Sequence, residues 1–300
     1  MMAGYILVRM KLAKYWTRQP GEAVDGKGQH IRVTARGWSN ESMESAAAVA
    51  RDVARRIAER IVSDRPKAPP YPYGDRPLPE PVLQEFRNGA ETPKAVVTRN
   101  IYGARVLNTR DLMFVDIDRQ ETAPKPAESH GLLRSLFGKS KTEASSTPPP
   151  TDPAVTAIHN VAERHHLAGR IYKTAAGYRV LVLNRRLDPN SAETEALLRE
   201  FGSDALYIRL CKLQESFRAR LTPKPWRCGL AQPPVTFPFA GPKEEAIFRE
   251  WDAKYAAKSA SYATCKFLGT FGAGGVESGF EELVQHHDRE TKATSALPLA

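Results

Sequence analysis

Two carboxylates one residue apart, Asp116 and Asp118, close the apolar run Leu112-Met113-Phe114-Val115 that continues through Ile117. Such a run reads as a buried β-strand, and the two-residue strand repeat puts both carboxylates on one face at its carboxyl end. Two anions held that close need a counter-charge. Oxygen ligands at this spacing suit a divalent cation, Mg²⁺ or Mn²⁺, which in turn grips phosphate. The same letters also describe a strand ended by a capped turn, since Asp is a common terminator and Arg119 follows as a local counter-charge. Both readings stay open at this level.

Basic residues supply the rest of the candidate chemistry. Lys173 and Arg179 flank the short link Thr174-Ala175-Ala176-Gly177, which is expected to turn a hairpin beside the aspartate strand. Lys173, Tyr178 and Arg179 are then expected to face the carboxylates, with Lys173 and Arg179 binding phosphate. Farther on, Arg218 and Arg220 alternate on an extended stretch and so share a face. Arg227 follows Trp226, whose ring offers a stacking surface for a base. A carboxylate pair among such cations is the layout that positions a triphosphate and stabilises charge during phosphoryl transfer. The alternative is internal neutralisation, with Lys173 and Arg179 serving the aspartates, and Arg218 and Arg220 pairing with Asp116, Asp118 or Glu215. Neither His165-His166 nor His286-His287-Asp288, the latter expected on an exposed helix, has a Cys or His partner at zinc-ligand spacing. The glycine-rich stretch 269–279 matches neither the Walker spacing nor a dinucleotide fingerprint, and reads as a loop.

The elements that must position these residues follow a regular order: strand 112–117, helix 153–167, strands 170–174 and 178–183, helix 191–201, strand 205–210. This βαββαβ order predicts an α+β fold whose core is ferredoxin-like or RRM-like, with both helices as crossovers on one face. Segments 95–98 and 104–107 would extend that sheet as a further hairpin. Ahead of it, a strand over 5–12, a glycine-rich turn region, a strand over 30–35 and a helix form an appended N-terminal α/β module. The helix is expected to be capped by Ser39 or Asn40 and to pack through its alanines with Val49, Val53, Ile57 and Ile61. Seven prolines between Arg65 and Pro81 mark a wrapping linker. The stretch 121–153 is expected to be a disordered insertion, except for the amphipathic Gly131–Lys139, a candidate docking segment for a protein partner. The division is therefore 1–64 module, 65–94 linker, 95–268 core, and 269–300 C-terminal loop and helix with a frayed end.

At 300 residues the chain has room for a full core. Lys and Arg number 44 against 34 Asp and Glu, leaving +10, which favours a nucleotide or nucleic acid over a membrane as partner. The sequence has no run of the roughly 20 apolar residues a spanning helix needs, and its first residues lack the pattern of a signal peptide, so a cytoplasmic location is expected. Cys211, Cys228 and Cys265 are odd in number and far apart, which predicts buried free thiols.

Taken together, the Asp-x-Asp strand end, the hairpin Ile171–Arg179 and the late Arg-rich strand resemble the core of the archaeo-eukaryotic primase superfamily across about residues 112–228. That resemblance implies Asp116 and Asp118 as divalent-metal ligands. It sets Arg179 near the place where the family carries a nucleotide-binding histidine, and leaves Asp204 as the nearest candidate for a third metal carboxylate. The implied activity is that of a primase- or polymerase-like nucleotidyltransferase, or of a relative that keeps the fold and binds nucleotide without extending a chain. A comparison with the haloacid-dehalogenase nucleophile strand fails at Gln120, where that strand carries Thr or Val. A third reading is a non-catalytic basic platform for nucleic acid, with 218–227 as contact surface and structural aspartates.

Overall fold

The computed structural model describes residues 10–63, 76–87, 89, 93–118 and 152–300. Among these the chain is an α+β protein with six α-helices and three antiparallel sheets.

The N-terminal unit is a two-stranded ribbon under one helix. β1 (Tyr15–Val24) pairs with β2 (His30–Ser39) from Tyr15 opposite Ser39 to Val24 opposite His30. α1 (Met43–Val62) lies across the ribbon on a stripe of Ala46, Ala50, Ala54 and Ala58, all buried. The ribbon answers with Gly21 and Gly37, and a Cβ on Gly37 would stand 2.2 Å from the Ala46 carbonyl oxygen. Small residues on both sides let helix and ribbon approach closely. Ile57 and Ile61, expected on the packing face, are exposed. The cap is Ser42, whose side chain accepts from the Ser45 amide at 3.1 Å, rather than Ser39 or Asn40. Residues 5–9 of the first expected strand lie outside the described residues and 10–12 form no strand. The strand runs instead through the stretch expected to turn, because Gly21 is needed there for helix approach and a two-stranded ribbon tolerates Pro20.

Eight strands form the two larger sheets. The first has the order β10 (Cys265–Phe271), β7 (Gly169–Thr174), β8 (Gly177–Val182), β6 (Phe114–Asp118). The second has the order β3 (Val82–Phe86), β4 (Ala95–Arg99), β5 (Arg105–Thr109), β9 (Phe217–Arg220). The expected β7–β8 hairpin is present, its turn held by the Gly177 amide donating to Thr174 Oγ1 at 3.0 Å. α2 (Pro153–Arg164) starts on an Asp152 cap with Pro153 in its first turn, and α3 (Ala192–Glu200) on a Ser191 cap.

Three expectations are corrected. Residues 205–210 are not a strand but the start of α4 (Ala205–Gln214): Asp204 caps it, accepting from the Tyr207 amide at 2.9 Å, while Ile208 and Cys211 point inward and Leu206 outward. The fourth strand of the first sheet is β10, beside β7. The hairpin β4–β5 extends no part of that sheet; it builds the second one, with β3 from the supposed linker and β9 from the Arg-rich stretch.

The C-terminal region belongs to the core. α5 (Pro242–Ser259) leads into β10, and α6 (Phe280–Thr291) buries Phe280, Leu283 and Val284 in the cluster that holds Phe114 and Leu181. His286 and His287 are buried, contrary to the expected exposed helix, because α6 packs on both larger sheets: His286 sits 4.9 Å from Phe86 of β3, and His287 4.9 Å from Tyr172 and 5.7 Å from Phe114, ring to ring. Nor is the tail frayed, since Leu299 bridges to Ala263 and Ala300 is buried. The glycine-rich stretch begins inside β10. All three cysteines are buried free thiols. The segment 131–139, nearly all of the 121–153 insertion and residues 65–75 of the linker lie outside the described residues. No helix among the described residues is long and apolar enough to cross a membrane.

Candidate functional site

The two larger sheets meet where β9 passes β6. There a cavity of about 580 Å³ has Asp116, Arg220 and Tyr102 among its walls, and Trp38 of the N-terminal ribbon closes it from another side.

Strand register sets Asp116 directly opposite Arg179. Arg179 Nε donates to Asp116 Oδ1 at 2.8 Å and its second terminal nitrogen to Oδ2 at 3.3 Å. Its remaining nitrogen donates to the Arg220 carbonyl at 2.9 Å, and so ties the two sheets together. The Arg179 side chain is 1% exposed, whereas that of Asp116 is 30% exposed. Burial works against the Arg179 charge, but the attraction and hydrogen bonds of Asp116 outweigh it and raise the guanidinium pKa. Arg179 thus approaches Asp116 from the buried side. Asp118 lies two residues on, on the same face, and is exposed.

Behind Arg179 stands His287, fully buried. Its Nδ1 donates to Asp288 Oδ1 at 3.0 Å, and Asp288 also takes the Tyr172 hydroxyl at 2.7 Å and Arg170 at 3.0 Å. Burial pushes the His287 pKa down to about 4, so the ring is neutral near pH 7 and Nε2 keeps its lone pair toward Arg179, 3.4 Å away. An unbroken set of contacts therefore runs from α6 through Arg179 to Asp116.

The other predicted cations separate into two groups. Lys173 pairs in register with Tyr178, and strand alternation puts both on the face opposite Asp116 and Arg179. Lys173 Nζ donates to the Tyr178 hydroxyl at 3.2 Å, and Tyr178 reaches Asp152 at the start of α2. The structure therefore brings Arg179 to the carboxylates but not Lys173. Arg218 is consumed internally: it donates to Asn108 at 2.6 Å and to both oxygens of buried Glu80 at 2.8 and 2.9 Å. That partner lies in the supposed linker rather than among Asp116, Asp118 and Glu215.

Arg220 is different. Among the described residues its side chain makes no hydrogen bond and no ion pair, and its Nε is buried without an acceptor. Burial lowers its pKa; the pull of Asp116 opposes this and the nearby Arg179 and Arg227 add to it. Lys224 and Arg227 extend the cluster from a 3₁₀ turn, Pro225–Cys228, which Pro225 opens and Gly229 closes at φ 67°. Neither has an ion-pair partner among the described residues. The Lys224 ammonium lies 5.5 Å over the Trp226 ring, and burial followed by repulsion from Arg220 and Arg227 lowers its pKa. Arg220 and Lys224 thus stand near the aspartates, with Arg227 beside them, and none of the three has a carboxylate of its own among the described residues.

No group of three or more His, Cys, Asp and Glu side chains that could hold a metal occurs among the described residues, and Asp204 is spent on capping α4. Two carboxylates suffice for Mg²⁺ when phosphate oxygens and water complete the octahedron. The donor set fits a divalent ion that arrives with a phosphate ligand, not a closed protein cage. Trp38, Asn100, Tyr102 and Lys224 belong to this site but were not picked out by sequence reasoning; only Lys224, set between two prolines in the basic run, left a signal there.

No protein-family model, curated protein or solved structure matches this chain.

Proposed function

We propose that the protein binds a nucleoside triphosphate by its phosphates where the two sheets meet, as a nucleotidyltransferase of primase or polymerase type or a nucleotide-binding relative of one. The observation that carries this reading is the Arg220 guanidinium, beside Asp116 and unpartnered among the described residues, joined by Lys224 and Arg227. Unneutralised cations next to carboxylates are stable together when a polyanion and a metal ion complete the charge balance. Asp116 and Asp118 hold Mg²⁺ or Mn²⁺, which when bound supplies the positive charge that polarises a phosphoryl group. Arg220, Lys224 and Arg227 neutralise the phosphates, and Arg179 fixes the Asp116 carboxylate from below. The order β6–β8–β7, with α2 between the first two in sequence, supports a ferredoxin-like core in this part of the chain; β10 takes a different edge from the fourth strand of that fold.

The test is calorimetric titration of Mn²⁺ with and without nucleoside triphosphate, on the native protein and on Asp118→Ala and Arg220→Gln. Asp118 is exposed, so its loss leaves no buried charge behind, unlike Asp116→Ala. Metal-dependent triphosphate binding that both variants weaken by about tenfold or more supports the reading. Its absence from the native protein removes it.

A second reading is favoured by the Asp116–Arg179 pair itself. If that aspartate only neutralises Arg179, the basic surface is a nucleic-acid platform, whose binding falls with salt and is indifferent to Asp118→Ala.

A further inference from the structure

Resting on the triphosphate reading above, we infer that the nucleobase occupies the cavity beyond Arg220, against Trp38 and Tyr102, with the Asn100 amide donating to an acceptor on the base edge. The N-terminal ribbon is then part of the substrate site.

Most polar groups that line the cavity are already spent. Glu80 and Arg218 neutralise each other, and the Tyr207 hydroxyl donates to the Phe114 carbonyl at 2.9 Å. Arg36 donates to Thr236 at 2.9 Å. Arg220 and the Asn100 amide remain without a partner among the described residues, and the Asp116 carboxylate, held by Arg179, is 30% exposed. Asn100 Oδ1 accepts from the Tyr102 and Ala104 amides at 3.1 and 3.0 Å, which holds the β4–β5 turn. That bonding fixes the orientation of the carboxamide and leaves its NH₂ without a protein partner among the described residues. A rigid donor in a cavity suits a ring nitrogen or carbonyl on a base, not a phosphate oxygen that needs cations.

The aromatic walls complete the match. Tyr102 is partly exposed at the turn and meets Trp226 edge-on at 5.3 Å, beside the Lys224 cation. Trp38 faces the same cavity from β2, with Arg76 lying 5.7 Å from its ring centre. Trp38, Tyr102 and the Arg220 guanidinium thus line one cavity, so that rings for a base and a cation for a phosphate share it, and about 580 Å³ is within the range of small-ligand cavities.

The experiment separates base from phosphate. The native protein, Trp38→Ala, Tyr102→Ala and Asn100→Asp are each titrated, with Mg²⁺, with the four ribonucleoside triphosphates and with inorganic tripolyphosphate. Asn100→Asp keeps an oxygen that holds the turn and replaces the donor with a carboxylate oxygen; the negative charge it adds acts on both ligands and is read from tripolyphosphate. The expected result is a loss of roughly fivefold or more for nucleoside triphosphates in each variant beyond any loss for tripolyphosphate, whose affinity stays within about twofold of native in Trp38→Ala and Tyr102→Ala. Equal losses for both ligands, or none in Tyr102→Ala and Asn100→Asp, overturn the inference and leave the phosphate site standing. A native protein that binds neither ligand overturns both. Tyr102 sits on a surface turn, so its variant decides the matter if Trp38→Ala fails to fold.

Discussion

Asp116 and Arg179 face each other across β6 and β8 in a two-point contact, one partner 30% exposed and the other 1%. The asymmetry decides what each loss does. Removing Asp116 strands a guanidinium in the core, whereas removing Arg179 leaves a carboxylate that water can reach.

Asp116→Ala is therefore expected to cost about 3–5 kcal/mol, Arg179→Met clearly less, and the double variant to recover most of the loss. Denaturant unfolding of the four proteins measures the cycle. Equal costs for the two single variants would refute the asymmetry.

His287 gives the fold an acid-sensitive point. Its pKa is about 4 in the folded protein against 6.5 for an ordinary histidine, so the unfolded chain binds the extra proton between these values. Stability attributable to this ring is complete above pH 6.5 and falls as pH drops toward 4, by on the order of 3 kcal/mol in total. In His287→Gln the slope of unfolding free energy against pH over this window should flatten; an unchanged slope would assign the titration to another group.

Arg220 is a cation with no partner among the described residues, and its replacement should cost the fold little. Arg220→Met is expected to change unfolding free energy by less than about 1 kcal/mol, in either direction, while weakening tripolyphosphate binding about tenfold or more. A loss of several kcal/mol with unchanged binding would show the residue to be structural.

Gly37→Ala tests the seam between ribbon and helix. The new methyl would meet Ala46 and Ala50 backbone atoms at 2.2 and 2.3 Å, which cannot turn aside as a side-chain tip can. A cost of roughly 3 kcal/mol or more is expected, seen as faster amide exchange in β1, β2 and α1.

Much of the scaffold is legible in the amino-acid order because it depends on near neighbours. The two-residue alternation of 114–118, the Gly177 hairpin, the Asp152-Pro153 and Ser191 helix starts and the cysteine spacing all express local rules, and they put Asp116 and Asp118 on one face opposite Arg179. Where a local signal was ambiguous, packing decided. The apolar residues of 205–214 fit a strand or a helix equally over a few positions, and the Asp204 cap with burial of Ile208 and Cys211 settles on the helix. A glycine in mid-strand reads as a turn until the alanine stripe of α1 explains it.

The fate of each charge lay beyond the sequence altogether, because neutralisation depends on residues far apart in the chain. Arg218 meets Glu80, 138 positions away, and Arg179 meets His287, 108 positions away. Composition determined that the chain carries ten more cations than anions, and residue order that one strand ends in two carboxylates. Only the tertiary structure decided that Arg218 is spent, that Lys173 is on the wrong face, and that Arg220 is left facing a cavity, since burial and distance, not residue type, set which ions find partners.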